Sequence, residues 1–364
     1  MNFDDLKLSV EALSGGKNTV LFDDKGMPST MVRIPRFQIS DAIAGGPSTT
    51  HPAFIVGGVE KNEIYVSKYQ NIVINDRAYS LPLKDPAASI SFDTAKARCE
   101  AKGQGWHLMT NAEWAALALW CKKNGFMPRG NNNYGADHGA AHERGVQTSS
   151  SSGQTNRVAT GSGPAAWAHD NTNGGIFDLN GNVSEWVGGL RLADGEIQVI
   201  PDNDAAQAID QGAASTLWKA MLQDGSLVTP GTAGTLKIDN TTAGNSTTTS
   251  NDVGGDPRIN TVVENRMYIP GGQVDYGYSQ VAFEALTAAS GVTVPTLLRA
   301  LGLFPLDSSH GGDIYLIRNY GERLPFRGGR WIDGSLAGVF HLRLSNARSG
   351  TSADIGFRAA FVSL

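Results

Sequence analysis

Apolar and polar positions alternate along this chain in two different rhythms. Over 110–123 the rhythm is helical: Trp114, Leu117, Ala118 and Cys121 recur at i, i+3, i+4 and i+7, the spacing that lines one face of an α-helix. Thr110 and Glu113 precede them with capping-box spacing, so that each can satisfy an orphan amide of the first turn. A second helix is expected just upstream, capped by Ser91 or Asp93, with Phe92, Ala95 and Cys99 on its inner face. Near the C-terminus the period drops to two. Phe340, Leu342 and Leu344 share one side of an expected strand, and His341, Arg343 and Ser345 share the other. EIYVSKYQNIVI (63–74) is β-prone, as are VLFDDKGMP (20–28) and MVRIPRFQI (31–39), the last read as an edge strand interrupted by Pro35. Two later stretches, STLWKAMLQDG (215–225) and YSQVAFEALTAASG (278–291), read as short amphipathic helices. Residues 129–170 and 232–255 are rich in Gly, Ser, Thr and Asn and read as surface loop.

Composition narrows the class. A chain of 364 residues with 40% hydrophobic content can bury a sizeable core. Its formal net charge of −5, without a basic block, argues against a nucleic-acid or anionic-membrane partner. No apolar run reaches the length of a bilayer span. The opening MNFDDLKLSV lacks the charged-then-apolar profile of a secretory signal, so a virion or the cytoplasm is the expected location. Two cysteines, Cys99 and Cys121, both fall in expected helices and read as small core residues rather than a disulfide framework.

Candidate chemistry is sparse. His138 and His142 stand four apart, but no third ligand follows at a zinc-like spacing, and the pair reads as solvated loop. GGIFDLNGNVSEW (174–186) crowds Asp178, Asn180, Asn182 and Glu185 around Gly181. Hard oxygen donors so close together suit Ca2+, with Asn182 and Glu185 as the candidate ligands. The alternative is a turn whose amides bond their own backbone, with Trp186 in the core.

Three motifs in order, HLMTNAEWAALALW (107–120), FDLNGNVSEW (177–186) and the terminal RGG.W…GFR, resemble the formylglycine-generating-enzyme-like branch of the C-type lectin fold. The resemblance spans about 55–364. It implies an α+β domain over 51–364 with an insertion at about 190–325, and leaves 1–50 as a small β-rich module or arm. Enzymes of that branch oxidise a substrate thiol with a cysteine pair near the C-terminus. Here Ala359 and Ala360 stand at that place and no cysteine follows Cys121. Thiolate chemistry needs a sulfur, so a non-catalytic binder is expected.

The terminal segment more closely resembles the variable region of diversity-generating retroelement variable proteins, among which are phage tail receptor-binding proteins. Arg327, Gly328, Gly329, Trp331, Phe357 and Arg358 match the framework. The family diversifies asparagine codons by mutating adenines. The resemblance therefore implies that the miscellaneous residues over 327–358 form the ligand face: Arg330, Ile332, Asp333, Leu336, His341, Arg343, Ser345, Asn346, Gly350 and Asp354. From Arg330 onward there is no Lys, Glu, Gln or Met, four residues that such mutation cannot produce. The implied partner is a protein or surface glycan on a host or neighbouring cell, with 1–50 available for virion attachment and the oligomeric state open. The rival readings are a structural phage or cell-surface protein with a fixed C-terminus, and an oxidase homologue without its cysteines.

Overall fold

A computed structural model of the chain describes residues 3–243, 254–266 and 277–364. The loop expected over 232–255 is interrupted by a strand, Lys237–Asn240, whose backbone pairs with Pro257–Asn260, and its part at 244–253 lies outside the described residues.

Two sheets frame the molecule. Helix α1 (Phe3–Leu13) leads into strands β1 (Asn18–Phe22) and β2 (Pro28–Pro35), followed by β3 (Glu63–Ser67). Next come α2 (Phe92–Glu100), β4 (Trp106–Leu108) and α3 (Asn111–Lys123). The C-terminal β13 (Ala359–Phe361) closes this first sheet in the order β1–β2–β3–β13–β4. The segment 1–50 thus belongs to the same sheet as the last strand of the chain, joined to it through β3, and it also carries helix α1, which the β-rich reading of 1–50 omitted. Pro35 ends β2 rather than interrupting it, and the edge is β1. The reason is positional: β2 bonds β1 on one side and β3 on the other, and its two prolines sit at its ends, where a missing N–H interrupts no interior bond.

The larger sheet holds β5 (Ser184–Trp186), β6 (Leu190–Ala193), β7 (Glu196–Val199), β8 (Ser279–Ala282), β9 (Ile314–Ile317), β10 (Glu322–Gly328), β11 (Gly338–Asn346) and β12 (Ile355–Phe357). Its central path runs β8–β9–β11–β10–β6–β7, with β9 and β11 parallel and β10 and β11 antiparallel. The protein is sheet-rich, and the α part of the expected α+β class is carried by few helices.

Both expected core helices form where their caps place them. Ser91, not Asp93, caps α2 by accepting from the Thr94 amide. Thr110 and Glu113 make the reciprocal capping box of α3. Helix α3 is buried nearly all round, a wider face than its stripe suggests, because the strands around it leave only its end in water. Its Trp114 indole donates to the Val339 carbonyl at 2.8 Å, pinning β11 to the helix.

The two expected helices further on are strands. Lys219–Met221 pairs antiparallel with β7, and Ser279–Ala282 is β8, paired with β9. Each stretch instead satisfies its backbone by hydrogen bonds to neighbouring strands. Such non-local pairing overrides the weak helical preference of Lys, Ala, Met and Leu.

Candidate ligand-binding site

The site begins with the period-two pattern of β11. Phe340, Leu342 and Leu344 are buried in the main core, where Phe340 packs against Phe283 with ring centroids 5.1 Å apart. His341, Arg343 and Ser345 project from the opposite side. They share it with Leu316 of β9, because the parallel register places Leu316 beside Arg343.

Before β11 the chain must reverse tightly. Gly328 and Gly329 hold φ of 86° and 77°, in the left-handed region that a side chain strains. A Cβ at Gly329 would stand 2.6 Å from that of Ala337. This reversal lays the 330–336 loop across the face of β11. Arg330 fastens the loop: its Nε donates to Asp333 Oδ1 at 3.0 Å, its backbone N–H donates to Asp333 Oδ2 at 3.0 Å, and its Nη1 reaches Asp354.

The result is a recess of about 300 Å³. Six of the residues singled out from the sequence line it: Arg330, Asp333, Leu336, His341, Arg343 and Ser345. A smaller recess of about 100 Å³ adjoins, with Asn346 and Asp354 in its wall and Arg330 and Arg343 shared between the two. Ile332 and Gly350 line neither. Ile332 is 45% exposed on the loop's outer side, and Gly350 closes a turn onto the Ala347 carbonyl.

The expected open face is corrected in one respect. His341 is 3% exposed and Ser345 1%, so the face of β11 is a shielded floor. The covering loop is the cause: His341 Nδ1 lies 3.0 Å from the Leu336 carbonyl. A carbonyl only accepts, so Nδ1 carries the proton. Nε2 is then bare, buried, and without a partner. Burial pushes the imidazole down to about 4, which keeps it neutral. Arg343 stands partly clear of the floor. Its Nε donates to Ser345 Oγ at 2.9 Å and its guanidinium lies 5.4 Å from the Phe326 ring centroid. Burial lowers its pKa, and the charge of Arg330 pushes the same way.

Sequence reasoning missed half of the wall. Tyr278 and Gln280, from β8 and the residue before it, and Ile314, Leu316 and Arg318, on and just after β9, also line the larger recess. The signal for β8 existed as alternating Gln280 and Val281, but it was absorbed into a helical reading.

The candidate calcium ligands are committed to protein partners. Both Glu185 oxygens take Arg358 donors, at 3.0 and 2.8 Å, and both groups are buried. Asn182 Oδ1 accepts from the Val158 amide and Asn131, while its Nδ2 donates to Gln70 and the Val158 carbonyl. Either residue would have to give up these bonds to take an ion. Asp178 alone keeps a buried oxygen without a partner, and burial pushes it up to about 6. Among the described residues no three His, Cys, Asp or Glu side chains cluster as a metal site. His138 and His142 are exposed. Cys99 and Cys121 are both buried and free, and burial raises both thiols. Among the described residues no helix is long and apolar enough to cross a membrane.

Residues 10–196 match the model of the "Sulfatase-modifying factor enzyme 1-like domain" family. No curated protein matches the sequence. Among solved structures the chain is similar to PvdO from Pseudomonas aeruginosa, at 18% identity over 47% of this chain and 74% of that one, with a TM-score of 0.26. It is also similar to Treponema denticola variable protein 1, at 11% identity over 94% and 98%, with a TM-score of 0.32. For the I1 variant of the Major Tropism Determinant the values are 12%, 94%, 71% and 0.31.

Proposed function

The chain belongs to the sulfatase-modifying factor enzyme 1-like family, and from that premise we propose that it is a non-catalytic member: a diversity-generating retroelement variable protein that binds its ligand through the C-terminal recess, on a C-type lectin fold. One observation carries the reading. Eight of the ten residues singled out as variable from the terminal segment meet around two adjoining recesses, on backbone held by buried contacts of the expected framework residues. Arg327 supplies such a contact: buried, it donates to Asn111 Oδ1 at 2.7 Å and to the Gly302 carbonyl at 3.1 Å. Arg358 supplies another through Glu185. The backbone is therefore fixed from behind, while the side chains proposed as exchangeable line the recesses in front.

The oxidase reading lacks its chemistry. Both thiols are buried with raised pKa, and both precede the terminal segment. We propose a receptor on a host or neighbouring cell as the partner, and a virion as the setting.

Sequencing the gene across sibling isolates tests the proposal. The codons for Arg330, Leu336, His341 and Arg343 should differ between isolates while those for Arg327, Gly329 and Arg358 do not. Identical codons throughout would favour a structural protein with a fixed C-terminus.

A further inference from the structure

A separate cavity lies against the first sheet and shares no residue with the two C-terminal recesses. Its volume is about 430 Å³, within the range of small-molecule pockets. The alternation of β2 supplies its floor: Val32 and Ile34 turn inward, into the same core cluster as Leu117 of α3. Trp120, one turn further along α3, and Phe37, just past β2, carry the apolar wall outward from that core.

The charges at the rim cancel in pairs. Lys17 stands 2.9 Å from Asp170, Arg33 stands 3.3 Å from Glu63, and Arg36 pairs with Glu60. Lys17, Arg33, Arg36 and Asp170 are the charged residues of the wall, so an ionic ligand finds no free counter-charge there.

A single donor is left over in this apolar setting. His169 is 5% exposed, and its ring lines the cavity with its centroid 5.2 Å from that of Trp120. Its Nδ1 accepts the Ile176 amide at 2.8 Å. Burial pushes the imidazole down to about 4, so the ring is neutral and its proton sits on Nε2. Among the described residues no acceptor takes that N–H, and the nitrogen is not among the atoms sealed in the core. A donor left without an acceptor in so dry a place is costly, and a ligand oxygen would satisfy it. The rings of Trp120, Phe37 and His169 favour an aromatic body over an alkyl chain.

We propose that this cavity binds a neutral aromatic molecule carrying a hydrogen-bond acceptor, of the aryl ketone or aryl amide class, with its ring against Trp120 and the aliphatic floor and its oxygen on His169 Nε2. Nothing in this site depends on whether 327–358 is variable.

The test irradiates the full chain with benzophenone, an aryl ketone that couples to nearby C–H bonds under near-ultraviolet light, and maps the labelled peptides by mass spectrometry. Label is expected on the segments 32–37, 117–120 or 169–170. Acetophenone should suppress it. Isopropylbenzene, similar in shape but without the oxygen, should need a concentration higher by about threefold or more, the usual worth of a neutral hydrogen bond. Benzoate, which is charged, and cyclohexyl methyl ketone, which lacks the aromatic ring, should also compete less well than acetophenone. In His169→Phe the advantage of acetophenone over isopropylbenzene should vanish. Thermal melting checks that variant, because the Ile176 amide loses its acceptor in it; should it not fold, the comparison of competitors on the unaltered chain decides. Label confined to other segments, equal competition by isopropylbenzene, benzoate or cyclohexyl methyl ketone, or an undiminished advantage of acetophenone in folded His169→Phe would each overturn the assignment.

Discussion

Single residues show how the frame and the face divide their work. Glu185 and Arg358 form a pair with side-chain exposures of 1% and 0%. Removing one partner leaves the other charged and dry. Glu185→Ala should therefore lower the unfolding free energy by about 3–5 kcal/mol in urea titration. A loss under about 1 kcal/mol would mean that water reaches the site. His341 makes a pH-dependent contribution whose sign follows from its burial. Its folded pKa lies near 4 against an ordinary 6.5. Between those values the unfolded chain binds the proton and the folded chain does not, so stability attributable to this residue falls as pH drops from about 6.5 towards 4. Asp333 opposes the shift and Arg343 and Arg327 reinforce it. The slope is at most about 1.4 kcal/mol per pH unit. His341→Gln removes it, so the stability gap between wild type and variant should move in the variant's favour by about 1–2 kcal/mol on going from pH 7 to pH 5. A gap that stays constant with pH would show that His341 titrates normally. The residue-level reading of the sequence captured which side of β11 this histidine occupies. It could not show the loop that covers it, because that contact joins His341 to a carbonyl five residues away across a turn.

Elements were legible where their signals were local. The caps of α2 and α3 are pairs of residues three apart, whose geometry is set within one helical turn. Thr110→Ala should cost about 1–2 kcal/mol in thermal or denaturant unfolding, since its hydroxyl also donates to Asn203 at 2.6 Å. The 278–291 stretch was misread for the opposite reason. A four-residue strand such as β8 makes its hydrogen bonds to β9, more than thirty residues on, and nothing inside the segment records that partner. The Gly328–Gly329 reversal lies between these cases. The sequence places glycines there, but only the fold shows Ala337 filling the space beside Gly329. Gly329→Ala should destabilise by about 1–3 kcal/mol, combining a left-handed φ with that clash, and should weaken ligand binding by lifting the loop. Unchanged melting would mean that the loop shifts freely and that the recess is not held by this turn.

At the scale of the whole molecule, the candidate site is a joint product of distant segments. The groove takes its floor from β11, one wall from the 330–336 loop, and the other from Tyr278, Gln280 and the β9 residues. Binding should therefore depend on residues outside the terminal segment. Tyr278→Ala, which leaves 327–358 untouched, is expected to weaken binding by at least about fivefold, in keeping with the loss of an aromatic contact. Full affinity in that variant would confine recognition to the terminal segment. The sequence by itself determined the two core helices and the two-sided character of β11. Those features follow from side-chain period and from capping and turn chemistry, which act over a few residues. Tertiary structure alone decided that 18–35 joins the sheet closed by the last strand, that β8 and β9 complete the groove, and that His341 lies under cover. Each of these depends on contacts between segments far apart in the chain or on how one loop lies over another, and such contacts are chosen by the free energy of the assembled core rather than by any local run of residues.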